Sequence, residues 1–149
     1  KTKSHEGGVC TPMIVHWPKG IVSPGRICRE PVHLVDIPPT VAALTGTNNP
    51  ATGQGININN IFQNKPLGRE GNLYWQWGSG NAIRKGDMKL VRHSGHDWEL
   101  YDLAKDRTEL NNLAREMPEL VGALEKAWNA WWIKCTGSKF KPKTKSEIK

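Results

Sequence analysis

Met13-Ile14-Val15-His16-Trp17 is an apolar run closed on both sides by Pro12 and Pro18, which predicts a short buried strand. Ahead of it, residues 1–8 read as a loop in which Gly7 and Gly8 permit backbone conformations closed to other residues. Pro31 to Val35 leads to Asp36, whose side-chain oxygen is expected to cap a helix. Pro38 and Pro39 fit the first turn of that helix, where a missing N–H costs little, and residues 40–44 continue it to a stop at Gly46. Residues 47–72 are rich in Asn, Gly, Pro and Gln and read as irregular. Strand-like runs follow at 73–77, 82–84 and 88–91, with Lys85-Gly86-Asp87 as a tight turn between the last two. Residues 98–103 alternate apolar and polar side chains as a half-buried strand does. These runs predict a small antiparallel sheet. Over 118–132, Leu120, Val121, Leu124, Ala127, Trp128 and Trp131 share one face at helical spacing, so a helix is expected to cover that sheet.

Composition sharpens this picture. At 149 residues and 37% hydrophobic content, the chain can bury one ordinary core. No apolar run approaches the ~20 residues that a membrane helix needs, so no membrane partner is expected. The net charge is +7, but six Lys stand against one Glu from Lys134 onward, so five of those charges belong to a tail. That tail lacks interleaved aromatics and Arg; it reads as a solvated, disordered end, and no nucleic acid is expected. Cys10, Cys28 and Cys135 show neither a Cys-x-x-Cys pair nor metal-ligand spacing with His. His33 and Asp36 lie three apart, a spacing that suits a metal, but no third ligand is nearby, so no metal ligand is assigned. His93 and His96 flank a hairpin turn. Tyr74, Trp75, Trp77 and Trp98 offer an aromatic platform for a sugar or aryl group, against plain sheet packing.

Four motifs in order carry a family resemblance. Lys1 stands five residues before Glu6-Gly7-Gly8, and a run ending in Trp17-Pro18 follows. Asp36 precedes a Pro-Thr helix ending at Gly46. Ala82-Ile83-Arg84 leads through Gly86 to Lys89-Leu90-Val91. Leu100-Tyr101-Asp102-Leu103 precedes Asp106, Glu109 and Asn112-Leu113. Together they resemble the C-terminal portion of the sulfatases, in the bacterial arylsulfatase-like group. The resemblance implies an α/β fold: residues 1–46 as the end of an alkaline-phosphatase-like α/β domain, 47–69 as an irregular connection, 70–133 as a small antiparallel-sheet subdomain with its helix, and 134–149 as the basic tail.

The same resemblance implies chemistry. Lys1 is the expected catalytic and sulfate-binding residue, because an ammonium group aimed at a departing oxygen stabilises the charge that builds there. His5 is the expected second substrate contact, with a charge tunable near neutral pH. Glu6 is expected to hold the turn by accepting backbone N–H groups. Cys10-Thr11-Pro12 imitates the Cys-x-Pro-x-Arg motif that matures into formylglycine, but Ile14 stands where Arg belongs, so Cys10 is given a structural role. The formylglycine and Ca²⁺ of the family are therefore implied to lie in an upstream part of the same catalytic domain, and this chain alone is expected to be inactive. The partner is a small sulfate ester or a sulfated glycan, and relatives suggest a periplasmic or secreted protein. The rival reading is a non-enzymatic basic module that binds an anionic polymer through its Lys-rich tail.

Overall fold

Leu73–Trp77 (β1), Gly80–Lys85 (β2), Met88–His93 (β3) and Glu99–Asp102 (β4) pair in chain order into a four-stranded antiparallel sheet. The structure is a computed structural model and describes residues 3–48, 53–93 and 95–141. These form two units: Lys1–Pro12 with Gly71–Lys149, which holds the sheet, and Met13–Glu70. The expected sheet and covering helix are both present. Gly86 makes the β2–β3 turn possible: its φ of 58° is left-handed, and Lys85 pairs directly with Met88 across it.

Alternation divides the sheet into two faces. Tyr74, Ile83, Leu90 and Leu100 align across the four strands on one face. There the helix Pro118–Thr136 (α4) lays Leu124 and Trp128 onto Ile83, Leu90 and Leu100. Trp128 is fully buried, and its indole N–H donates to the Trp75 carbonyl at 3.2 Å. Truncating such a residue typically costs about 3–5 kcal/mol. α4 runs four residues past the expected end and stops at Gly137, whose left-handed φ of 70° closes the last turn. The second face aligns Trp75, Ala82, Val91 and Glu99, and beside them Leu73, Arg84, Lys89 and Tyr101.

The aromatic residues do not form one platform. Tyr74 stacks on Trp131, Trp98 packs edge-on against Trp128, and Trp77 stands exposed at the end of β1. Packing against α4 has used two of the four rings.

In the unit Met13–Glu70, the helix Ile37–Thr45 (α2) carries Pro in its first turn and ends at Gly46 with φ 70°, as expected, and Asn59–Phe62 forms a single helical turn (α3) where irregular chain was expected. Two expectations fail. Residues 13–17 are not a strand: Met13, Ile14, Val15 and Trp17 are exposed, Ile14 by 93%. A strand exists only within a ladder, and no described strand pairs with this run. Asp36 does not cap the helix with its side chain. It is fully buried, accepts the N–H groups of His33 at 2.7 Å and Ile56 at 2.9 Å, and pairs with the Arg69 guanidinium. Asp36 thus ties three separated segments together.

Candidate active site

The segment that opens the described chain docks on the second face of the sheet. Glu6–Val9 forms one helical turn, α1, where a loop was expected. Its two glycines do different work from that predicted. Neither adopts a positive φ. A Cβ on Gly8 would lie 2.0 Å from the Lys3 carbonyl oxygen, so Gly8 is required for clearance, whereas a Cβ on Gly7 would meet nothing within 4 Å. A third glycine serves the docking: a Cβ on Gly80 would lie 2.7 Å from the Ser4 hydroxyl, so Ser4 seats against bare β2 backbone.

Charge fixes the rest. Lys89 is wholly buried in β3, yet its ammonium reaches Glu6 Oε1 at 2.8 Å and Glu109 Oε1 at 2.9 Å. Glu6 therefore pairs with a buried cation instead of gathering the backbone N–H groups of its own turn. Burial pushes the Glu6 carboxyl up, but the hydrogen bond and charge of Lys89 outweigh it and leave the carboxyl below its ordinary value. The Glu6 N–H donates to Glu109 Oε2 at 2.6 Å. Arg107 completes the group, 3.8 Å from Glu6 Oε2, and donates to the Cys10 sulfur at 3.1 Å. Cys10 is an exposed free thiol in this supporting position.

His5 sits beside this ion cluster. Its Nε2 lies 2.7 Å from Glu99 Oε2, and the Tyr101 hydroxyl donates to that same oxygen at 3.2 Å. Burial first, and then the Glu99 charge, push the Tyr101 phenol up to about 12, so it stays a donor. The carboxylate favours the Nε2–H tautomer of His5, which leaves Nδ1 as its free acceptor or, when protonated, a second donor. That Nδ1 is enclosed and has no partner among the described residues. His93 lies at the neighbouring strand end, with the Ser79 hydroxyl 3.2 Å from its ring and the His96 ring 6.2 Å away. Burial, then the charges of Lys3, His96 and His5, lower the His93 pKa.

Of the two residues expected to touch substrate, His5 is in place on this face and Lys1 lies outside the described residues. Lys89, Tyr101 and Glu109 stood in the sequence only as members of the resemblance motifs, with no site role, and Glu99 was given none either. Lys89 had one visible signal: a lone charge inside the run 88–91, among apolar neighbours. Among the described residues, no group of three His, Cys, Asp or Glu side chains could hold a metal ion.

Residues 1–130 match the family described as N-sulphoglucosamine sulphohydrolase, C-terminal. An uncharacterized sulfatase of Schizosaccharomyces pombe is 30% identical over 83% of this chain and 25% of its own length. An N-acetylglucosamine-6-O-sulfatase of Bacteroides thetaiotaomicron is 27% identical over 76% of this chain and 24% of its own length. Among solved structures, one from Bacteroides thetaiotaomicron, described with the metabolism of multiple glycosaminoglycans, is 26% identical with a TM-score of 0.55, over 64% of this chain and 24% of that one. The crystal structure of Ps i-CgsB shares the fold, with a TM-score of 0.67 at 24% identity over 78% of this chain and 27% of that one. The chain spans about a quarter of the length of the relatives it matches.

Proposed function

Because this chain belongs to the N-sulphoglucosamine sulphohydrolase C-terminal family of sulfatases, we propose that the protein it is part of hydrolyses sulfate monoesters, and that this portion presents Lys1 and His5 to the ester. The observation that carries the reading is the docking of the His5-Glu6-Gly7-Gly8 turn onto the sheet through buried Lys89. A turn held this firmly gives its neighbouring side chains a defined place, and orientation is what a binding group needs. Lys1 would neutralise the sulfate and stabilise charge on the departing oxygen. His5, held through Nε2 by Glu99, would meet an anionic oxygen as a donor, through Nδ1–H, when its ring is doubly protonated.

The Ca²⁺ and formylglycine that the resemblance implies would lie in other parts of the protein; among the described residues, no group of three His, Cys, Asp or Glu side chains could hold a metal ion. Sulfated glycans are the favoured substrate class. Support comes from the N-acetylglucosamine-6-O-sulfatase among the relatives and from the structure described with glycosaminoglycan metabolism. An exported location fits such substrates, and no helix among the described residues is long and apolar enough to cross a membrane.

Sulfate release from a panel of sulfated mono- and oligosaccharides by the full-length protein tests the reading. Turnover is expected, with Lys1→Ala lowering kcat/KM by about 10²–10³-fold, the scale for losing one stabilising group at a developing charge. The 149-residue chain alone is expected to be inactive. Sulfate release by that chain, or full activity in the Lys1→Ala enzyme, would refute the assignment.

A further inference from the structure

The middle of a sheet is a costly place for an ammonium group, and Lys89 sits there with no exposure at all. The two carboxylates that compensate it come from distant parts of the chain, Glu6 in α1 and Glu109 in the loop after β4. With Arg107 beside Glu6, two cations meet two anions.

Glu109 is held in an uncommon backbone state to reach this place. Its φ of 57° is left-handed, a region that side chains bearing a Cβ seldom adopt. The surrounding loop enforces it: Asp106 Oδ2 accepts the N–H groups of Leu110 and Asn111, each at 2.8 Å. Strain of this kind persists where neighbouring structure over-determines it, and it clusters at functional sites. Glu109 spends its two oxygens on two tasks. Oε1 faces Lys89, and Oε2 takes the N–H of Glu6, the first residue of α1.

His5 is the residue directly before that N–H. Both ends of Glu6 are thus held, the backbone by Glu109 and the carboxylate by Lys89, while the His5 carbonyl accepts the N–H groups of Gly8 at 2.8 Å and Val9 at 3.1 Å, so the ring reaches Glu99 from an anchored turn. We propose that Lys89 and Glu109 are positioning residues for His5, acting through Glu6 to set where the imidazole meets the sulfate ester. The catalytic consequence rests on the sulfatase reading above; the effect on the ring itself does not.

The test uses full-length protein with ¹⁵N-labelled histidine and 4-nitrophenyl sulfate as the probe ester. Glu109→Gln keeps the side-chain shape and an acceptor oxygen, and Lys89→Met removes the ammonium. Wild type is expected to show the His5 nitrogens of one pinned tautomer. In both variants those signals should move toward averaged values, and kcat should fall tenfold or more with KM changed less than twofold. If Lys89→Met does not fold, Glu109→Gln alone decides. Unchanged His5 signals with unchanged kcat, while only the melting temperature drops, would overturn the proposal and leave the cluster a purely structural one. If wild type does not turn over the probe, the His5 signals decide the positioning separately.

Discussion

Glu99 receives two donors at one carboxylate oxygen, the imidazole of His5 and the phenol of Tyr101. A carboxylate so placed fixes the ring and also raises the phenol's pKa, which makes it measurable. Glu99→Gln should bring the Tyr101 titration part of the way from about 12 toward 10.0, because burial, the larger cause, remains. Ultraviolet titration reads this cleanly in a chain with two tyrosines; an unmoved titration would show that Glu99 does not govern Tyr101. His5 and Glu6 were legible from their place beside Gly7-Gly8. Their partners were not, because Glu99 lies 94 positions from His5 and Lys89 lies 83 from Glu6. No local pattern reports a contact across that distance.

The elements of the sheet unit followed from short-range rules. Strand-like runs and a tight-turn signal located the first three strands, period-2 alternation located the fourth, and a 3.6-residue stripe located α4. The failures share a cause as well. The run 13–17 has the composition of a strand, but strand formation depends on a neighbour that composition does not name. For α1, the sequence placed the glycines correctly and mistook their purpose, since clearance from the Lys3 carbonyl is invisible until the turn is folded. The two positions separate sharply by mutation. Gly8→Ala should destabilise the docked turn by about 1–3 kcal/mol, as forced overpacking does. Gly7→Ala should be neutral or slightly stabilising, because Ala suits a helical turn better than Gly. Chemical denaturation of both variants checks this, and equal losses would contradict the clearance argument.

Across the whole molecule, the ion cluster ties stability to pH. Glu6 has a folded-state pKa below its ordinary 4.5, so its contribution is complete above 4.5 and is lost as pH falls through the folded value. The melting temperature should therefore drop as acid is added below about 4.5, and Lys89→Met should flatten the part of that drop owed to Glu6. An identical acid profile in the variant would show that Lys89 does not hold the carboxyl down. At this scale the division of information is clear. The four strands with their covering helix, the sulfatase affinity and the prominence of the His5-Glu6-Gly7-Gly8 turn were all readable from residue order, because periodicity, turn chemistry and motif spacing are local properties of the chain. The buried Lys89 pair, the His5–Glu99 bond, the role of Asp36 as a tie and the failure of 13–17 to form a strand emerged only on folding. Each depends on groups far apart in sequence meeting, or failing to meet, where water is excluded and every charge or backbone N–H requires a partner.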